Sequence, residues 1–182
     1  MTAATALAGF PSIDLPLKDG RHVILRAIRE DDSDALQDAV KRLSARSRYA
    51  RFMESLRELP PGMLDRAVHP EAGREMQLVA VTGEAPRQVI VGGARYGAAA
   101  GSKDCEFAVT VADGWRGLGL ARQLLEALMR AAHAAGFERM EGYILASNAP
   151  MLGLARKLGF RRVKNPEDPA VFRVLRDLRE MA

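Results

Sequence analysis

Val109-Thr110-Val111-Ala112-Asp113-Gly114-Trp115-Arg116-Gly117-Leu118-Gly119-Leu120-Ala121-Arg122-Gln123-Leu124-Leu125 decides how the rest of the chain is read. It runs from the end of a β-branched strand, through a Gly-rich turn with one arginine, into an amphipathic helix. A helix N-terminus presents unpaired N–H groups and the positive end of its dipole. Glycines let the backbone approach a ligand with no Cβ in the way. Together these make a place to hold a pyrophosphate. The turn lacks the Lys-Ser/Thr pair of a P-loop and the spacing of a dinucleotide fingerprint, so taken alone it is equally an ordinary tight turn.

Downstream, Leu120, Leu124, Leu125, Leu128, Met129 and Ala132 repeat at helical spacing as far as Gly136. Residues 140–145 read as a strand, and Asn148-Ala149-Pro150 opens a helix that runs to Gly159, with proline in its first turn. Residues 160–163 make a short strand, 165–169 a polar turn, and 171–176 a last strand, with helix as the alternative. Upstream, 106–111 is the strand that enters the glycine turn, and 76–81 with 88–96 form an antiparallel hairpin. Residues 22–28 are a strand by β-branched content, and the acidic run 30–34 starts a helix to about Leu43. A second helical piece, from Ser44 or Ser47 to about Leu56, brings Arg46, Arg48, Arg51 and Arg57. They read as a solvated face with packed aliphatic stems, or as a rim for an acidic partner or for phosphates. Residues 63–68 form one more short helix after Pro60-Pro61-Gly62.

This order predicts an α+β (mixed α/β) fold, a central mixed, mostly antiparallel sheet with helices on both faces. No repeat or linker divides it, so residues 21–182 are read as one domain and 1–20 as a flexible N-terminal segment. That segment has no basic residues ahead of its apolar part and does not read as a signal peptide. No apolar run approaches the roughly 20 residues of a membrane span. The single cysteine, Cys105, excludes an internal disulfide and a cysteine metal cluster and fits the reducing cytoplasm. Net charge +4 suits an anionic ligand, but basic residues are interleaved with acidic ones and aromatics are 5%, which does not point to nucleic acid. His22, His69 and His133 are scattered without metal-ligand spacing, so no metal is expected. Cys105 beside Glu106 suggests a nucleophile, but strand alternation sends neighbours to opposite faces, and a buried structural cysteine is the reading preferred.

Arg116-x-x-Gly119-x-Ala121 after a Val-ending strand resembles the acyl-CoA-binding motif of the GNAT superfamily of N-acyltransferases. Asn148-Ala149-Pro150-Met151 and Ala155-Arg156-Lys157-Leu158-Gly159-Phe160 are similar to that family's second signature, and the element order agrees. Arg74-Glu75-Met76 leading into a strand and Cys105-Glu106-Phe107-Ala108-Val109 resemble the catalytic domain of bacterial Pat-type protein lysine acetyltransferases. Those domains are often fused to a large acyl-CoA-synthetase-like regulatory part; the sequence at hand covers the acetyltransferase part.

The resemblance implies acetyl-CoA as donor. Backbone groups of Val109 and Val111 would pair with the pantetheine arm. The N–H groups of Arg116, Gly117, Leu118, Gly119, Leu120, Ala121 and Arg122 would hold the pyrophosphate, with Arg116 adding a guanidinium fork suited to phosphate. Asn148 would turn its amide to the pantetheine or the thioester, and the acyl group would lie where the strand before the turn parts from its neighbour. Glu106 would be the general base, directly or through a water. Many relatives carry Tyr where this sequence has Ala155, which leaves the general acid unassigned. Tyr143 is read as packing in the sheet and Trp115 as anchoring the turn.

A base is useful because a lysine amine of pKa about 10.4 is only ~0.04% neutral at pH 7, a deprotonation cost of about 4.6 kcal/mol. The expected reaction is direct acetyl transfer to a primary amine, first of all a protein lysine ε-amine. A small-molecule amine is the alternative acceptor, and a non-catalytic acyl-CoA-binding or sensing module the alternative class.

Overall fold

The computed structural model describes residues 10–181. Its eight strands are β1 (Ile13–Pro16), β2 (His22–Ala27), β3 (Glu75–Thr82), β4 (Val89–Gly97), β5 (Asp104–Val111), β6 (Arg139–Leu145), β7 (Arg161–Lys164) and β8 (Val171–Asp177). They form one sheet in the order β1-β2-β3-β4-β5-β6-β8-β7. Every neighbouring pair is antiparallel except β5–β6. Among the described residues the α-helices are α1 (Ser33–Arg42), α2 (Ala45–Phe52), α3 (Pro61–Val68), α4 (Leu120–Ala134) and α5 (Ala149–Lys157). The mixed, mostly antiparallel sheet expected from the element order is the one observed.

A parallel pair needs a crossover, and α4 supplies it between β5 and β6. Its apolar stripe is sealed onto the sheet: Leu120, Leu124, Leu125 and Leu128 are at most 1% exposed, against Leu78, Ala94, Tyr96 and Phe107 in the same core. Burying a leucine contributes about 1.5–3 kcal/mol, so this stripe fixes where the N-terminus of α4 lies. The opposite face carries a smaller core of Ile28, Val68, Val79, Val81 and Ile90, covered by Ala35, Leu36 and Ala39 of α1. On that side Arg26 and Asp32 form a buried bidentate pair (2.7 and 2.8 Å) at the entry to α1.

Two expectations change. The segment read as flexible over 1–20 contains β1, which pairs with β2 from Ile13↔Leu25 to Pro16↔His22; residues 1–9 lie outside the described part. Such a four-residue edge strand ending in proline has little periodicity to reveal it. The helix expected to reach Leu56 ends at Phe52, because Met53 turns left-handed (φ 56°). Arg48 then donates to the carbonyls of Leu43 and Leu56, bracing both flanks of α2. Residues 171–177 take the strand reading, held by β6 on one side and β7 on the other. No described helix is long and apolar enough to cross a membrane.

Gly142 lies on β6 where it passes the ring of Phe107, and a Cβ there would sit 2.5 Å from that ring. Gly142→Ala is therefore expected to lower stability by about 1–3 kcal/mol, the cost of overpacking a filled core. A denaturant midpoint equal to wild type would contradict this packing.

Candidate active site

β5 pairs with β6 over only three positions, Asp104↔Arg139, Cys105↔Met140 and Glu106↔Glu141. Past Glu106, β5 continues beside β4 to Val111 while β6 continues beside β8 to Leu145, so the two strands part. The N–H of Ala112 bonds the Val91 carbonyl on the β4 side. Alternation along an antiparallel strand then turns the backbone groups of Val109 and Val111 into the gap. Side chains alternate too: Cys105, Phe107, Val109 and Val111 face α4, whereas Glu106, Ala108 and Thr110 face the side of α2.

The glycine turn follows at the top of β5. Gly117 (φ 75°) and Gly119 (φ 88°) adopt the left-handed conformation that a Cβ disfavours, and Gly119 is the N-cap of α4. No side chain caps this helix, so the N–H groups of Leu120, Ala121 and Arg122 are left to an outside partner. The Leu120 side chain is buried and pins the turn to the core. Leu118 and Ala121 are half-buried, and Arg122 is exposed, paired with Glu126 at 2.8 Å. Arg116 is exposed and donates to Ser47 Oγ (2.8 Å), with Asp113 at 3.4 Å. Asp113 accepts from Ser44 N (2.9 Å) and Ser47 Oγ (2.7 Å). These two hydrogen bonds hold its carboxyl below the ordinary range. The glycine turn is thus tied to the start of α2, a link that no local motif announces. Trp115 is half-buried against the core with the Arg21 guanidinium 3.9 Å over its ring, the anchoring position. Asn148 caps α5 by accepting from Met151 N (3.3 Å), which leaves its amide NH₂ for a ligand.

At the other end of the open strand edge, Glu106 meets a cleft of about 270 Å³ lined by Arg51, Arg95, Gly97, Glu106, Phe107 and Ala108. Glu106 is exposed at the mouth of the cleft; partial desolvation of its carboxyl there, then the Glu141 carboxylate in register beside it, push its pKa up, against the pull of Arg95 and Arg51. Arg51 is pushed down to about 10 by burial and by Arg95, against Glu106, and stays cationic at neutral pH. Arg95 lies 3.3 Å from Glu75. Arg95 escaped the sequence reading. Arg51 sat in a run read as a solvated face or as a rim for an acidic partner or phosphates, and its spacing of four from the buried Ser47 puts both on one side of α2.

Tyr143 does not pack in the sheet core; it is 40% exposed, and alternation along β6 sets it on the face of Glu141. Ala155 is buried at 1% exposure. Cys105 is buried, its thiol pushed up to about 12 chiefly by that burial, so it remains a structural thiol. His22 pairs with Asp14, and His69 with Asp65 and Glu30. Among the described residues no group of three or more His, Cys, Asp or Glu could hold a metal ion.

The model of the acetyltransferase (GNAT) domain family matches residues 22–161. Acetyltransferase PA5475 of Pseudomonas aeruginosa is 36% identical over 152 residues, 84% of this chain and 82% of that protein. The L-methionine sulfoximine/L-methionine sulfone acetyltransferase of the same organism is 47% identical over 55 residues, 30% of this chain and 32% of that protein. The solved GNAT domain of S. lividans PAT is similar with a TM-score of 0.83 at 26% identity, over 92% of this chain and 99% of that one.

The raised pKa of Glu106 has a thermodynamic counterpart. The folded state holds the proton more tightly than the unfolded one, so this group's contribution to stability falls as pH rises from the ordinary glutamate value through the raised one. Glu106→Gln is expected to be at least as stable as wild type at pH 8, with its advantage shrinking below the ordinary glutamate pKa. Thermal melts across pH check this; a variant less stable than wild type at pH 8 would speak against it.

Proposed function

The chain belongs to the GNAT acetyltransferase family and is an acetyl-CoA-dependent N-acetyltransferase, and from that premise we propose that residues 21–182 form one catalytic domain acetylating a primary amine with Glu106 as general base. The observation that carries this reading is the parting of β5 and β6 immediately after Glu106. It leaves about 17 Å of open strand edge, at ~3.4 Å per residue, between the base and the glycine turn.

In this reading the pantetheine arm adds to Val109 and Val111 as an extra strand. Its pyrophosphate takes the N–H groups from Arg116 to Arg122 together with the Arg116 guanidinium. Asn148 offers its amide to the pantetheine or thioester. The acetyl group then lies in the gap, with the amine entering from the cleft. Glu106 takes one proton from the entering ammonium and passes it to solvent; the neutral nitrogen then attacks the thioester carbon, the N–C bond forms, the C–S bond breaks, and the second amine proton passes to Glu106. CoA departs as a thiolate; with a thiol pKa near 8.5 it needs little protonation to leave, which suits a site with alanine at 155. Raising the Glu106 pKa toward the working pH makes it a better base while it is still ionised.

For the acceptor, the Pat-type residues around Glu106, the open cleft and the likeness to S. lividans PAT support a protein lysine ε-amine. The stretch shared with the methionine sulfoximine/sulfone acetyltransferase supports a small-molecule amine as the second reading. The lone buried thiol of Cys105 supports a cytoplasmic setting.

Glu106→Gln is expected to lower kcat by about 10²–10⁴-fold, the usual worth of a positioned base, with acetyl-CoA affinity unchanged. In the wild type, kcat/KM should fall as pH drops through the raised Glu106 pKa. Full turnover in the Gln variant, with acetyl-CoA still bound, would remove Glu106 from the chemistry. Arg116→Ala is expected to raise KM for acetyl-CoA about tenfold or more, by loss of a charged hydrogen bond, while leaving KM for the acceptor unchanged. Equal effects on both would assign Arg116 to holding α2 rather than to the donor.

A further inference from the structure

Acetyl transfer by itself does not account for Arg51 and Arg95. The reaction needs a base, and two guanidiniums beside that base oppose it, since they hold its negative charge and repel an incoming ammonium. Arg51 reaches the cleft from α2 and, among the described residues, its guanidinium makes no hydrogen bond or ion pair; its neighbour is the Phe52 ring, 4.7 Å away. Arg95 reaches the cleft from β4 with one long contact to Glu75 Oε1 at 3.3 Å, and the other Glu75 oxygen is taken by Glu71 N at 3.0 Å. Glu141, next to Glu106 in register, is committed to Arg173 at 2.8 Å. The cleft itself therefore sets two guanidiniums against the single carboxylate of Glu106. Once Glu106 has taken the amine proton, both arginines face the cleft with no counter-charge in it. A planar guanidinium fork matches a carboxylate in shape and charge.

We infer that Arg51 and Arg95 form a carboxylate-binding site, and that the acceptor is an amine carrying a carboxylate close to its nitrogen. This rests on the acetyltransferase reading above and narrows its acceptor. A zwitterionic acceptor enters without net repulsion, sets its ammonium against Glu106 and its carboxylate against the arginines, and supplies the missing counter-charge when Glu106 is protonated. A polyamine or alkylamine brings none. The carboxylate belongs either to a free amino acid or to an Asp or Glu beside a lysine in a protein, and the same two guanidiniums read both.

The test uses matched acceptors with the purified full chain. One pair is a lysine peptide with glutamate on both sides of the lysine and the same peptide with glutamine. The other is L-methionine sulfone and its amide. Steady-state acetylation is measured for wild type, Arg51→Gln, Arg51→Lys and Arg95→Gln, and calorimetry follows binding of the same compounds to the CoA-loaded enzyme. In at least one pair the carboxylate member should win by about tenfold or more in kcat/KM, the worth of charged hydrogen bonds. The Gln variants should bring the ratio toward one, Arg51→Lys should keep part of it, and acetyl-CoA affinity should be unchanged throughout. Preference in the peptide pair puts the carboxylate on a neighbouring residue; preference in the other pair puts it on a free acid. Turnover with no preference in either pair overturns the inference and leaves the acetyltransferase reading standing. Absent turnover, with carboxylate binding that Arg51→Gln abolishes, does the reverse. Neither turnover nor Arg51-dependent binding removes both.

Discussion

A parallel strand pair that lasts for three residues and then fails governs this molecule. The pairing of β5 with β6 is the one departure from an otherwise antiparallel sheet, and it forces a crossover. That crossover is α4, whose buried leucines fix its axis and so deliver an uncapped N-terminus to the top of β5. The end of the pairing at Glu106 leaves Val109 and Val111 with an edge that no strand pairs, where among the described residues the Val111 carbonyl accepts only from Arg116 Nε (3.4 Å), and leaves Glu106 at the mouth of the opening. The glycine turn, the open edge and the placement of Glu106 are three consequences of one topological feature.

The electrostatics follow from the same geometry. Register places Glu141 beside Glu106, and its negative charge adds to desolvation in raising the Glu106 pKa. Arg51 and Arg95 oppose that effect from the other wall of the cleft. The glycine turn and the Glu106 cleft also share α2. Its Ser44 and Ser47 hold Asp113 and Arg116 at the glycine turn, while its next turn presents Arg51 to the cleft. One short helix therefore braces the glycine turn and lines the Glu106 cleft.

Much of this was legible in the chain. The glycine turn, the leucine stripe after it and the Asn148-Ala149-Pro150 opening are local signals with fixed physical meaning, and the strands that carry Glu106 and Tyr143 follow from alternation. What stayed hidden depended on contacts remote in sequence. β1 is a short edge strand whose order comes from pairing with β2. Met53 ends α2 early because its flanks are tied by Arg48, not because of any glycine or proline there. Arg51 and Arg95 lie 44 residues apart in number and meet only because α2 lies across the face of β4 and β5. Tyr143 was read as packing in the sheet, whereas strand parity puts it on the open face.

The most direct test is a crystal structure of the full chain with acetyl-CoA bound. The account requires the pantetheine arm hydrogen-bonded to Val109 and Val111, the pyrophosphate on the 116–122 N–H groups, and the thioester in the β5–β6 gap within one water of the Glu106 carboxylate. A pantetheine arm lying outside that gap, with Glu106 remote from the thioester, would contradict it.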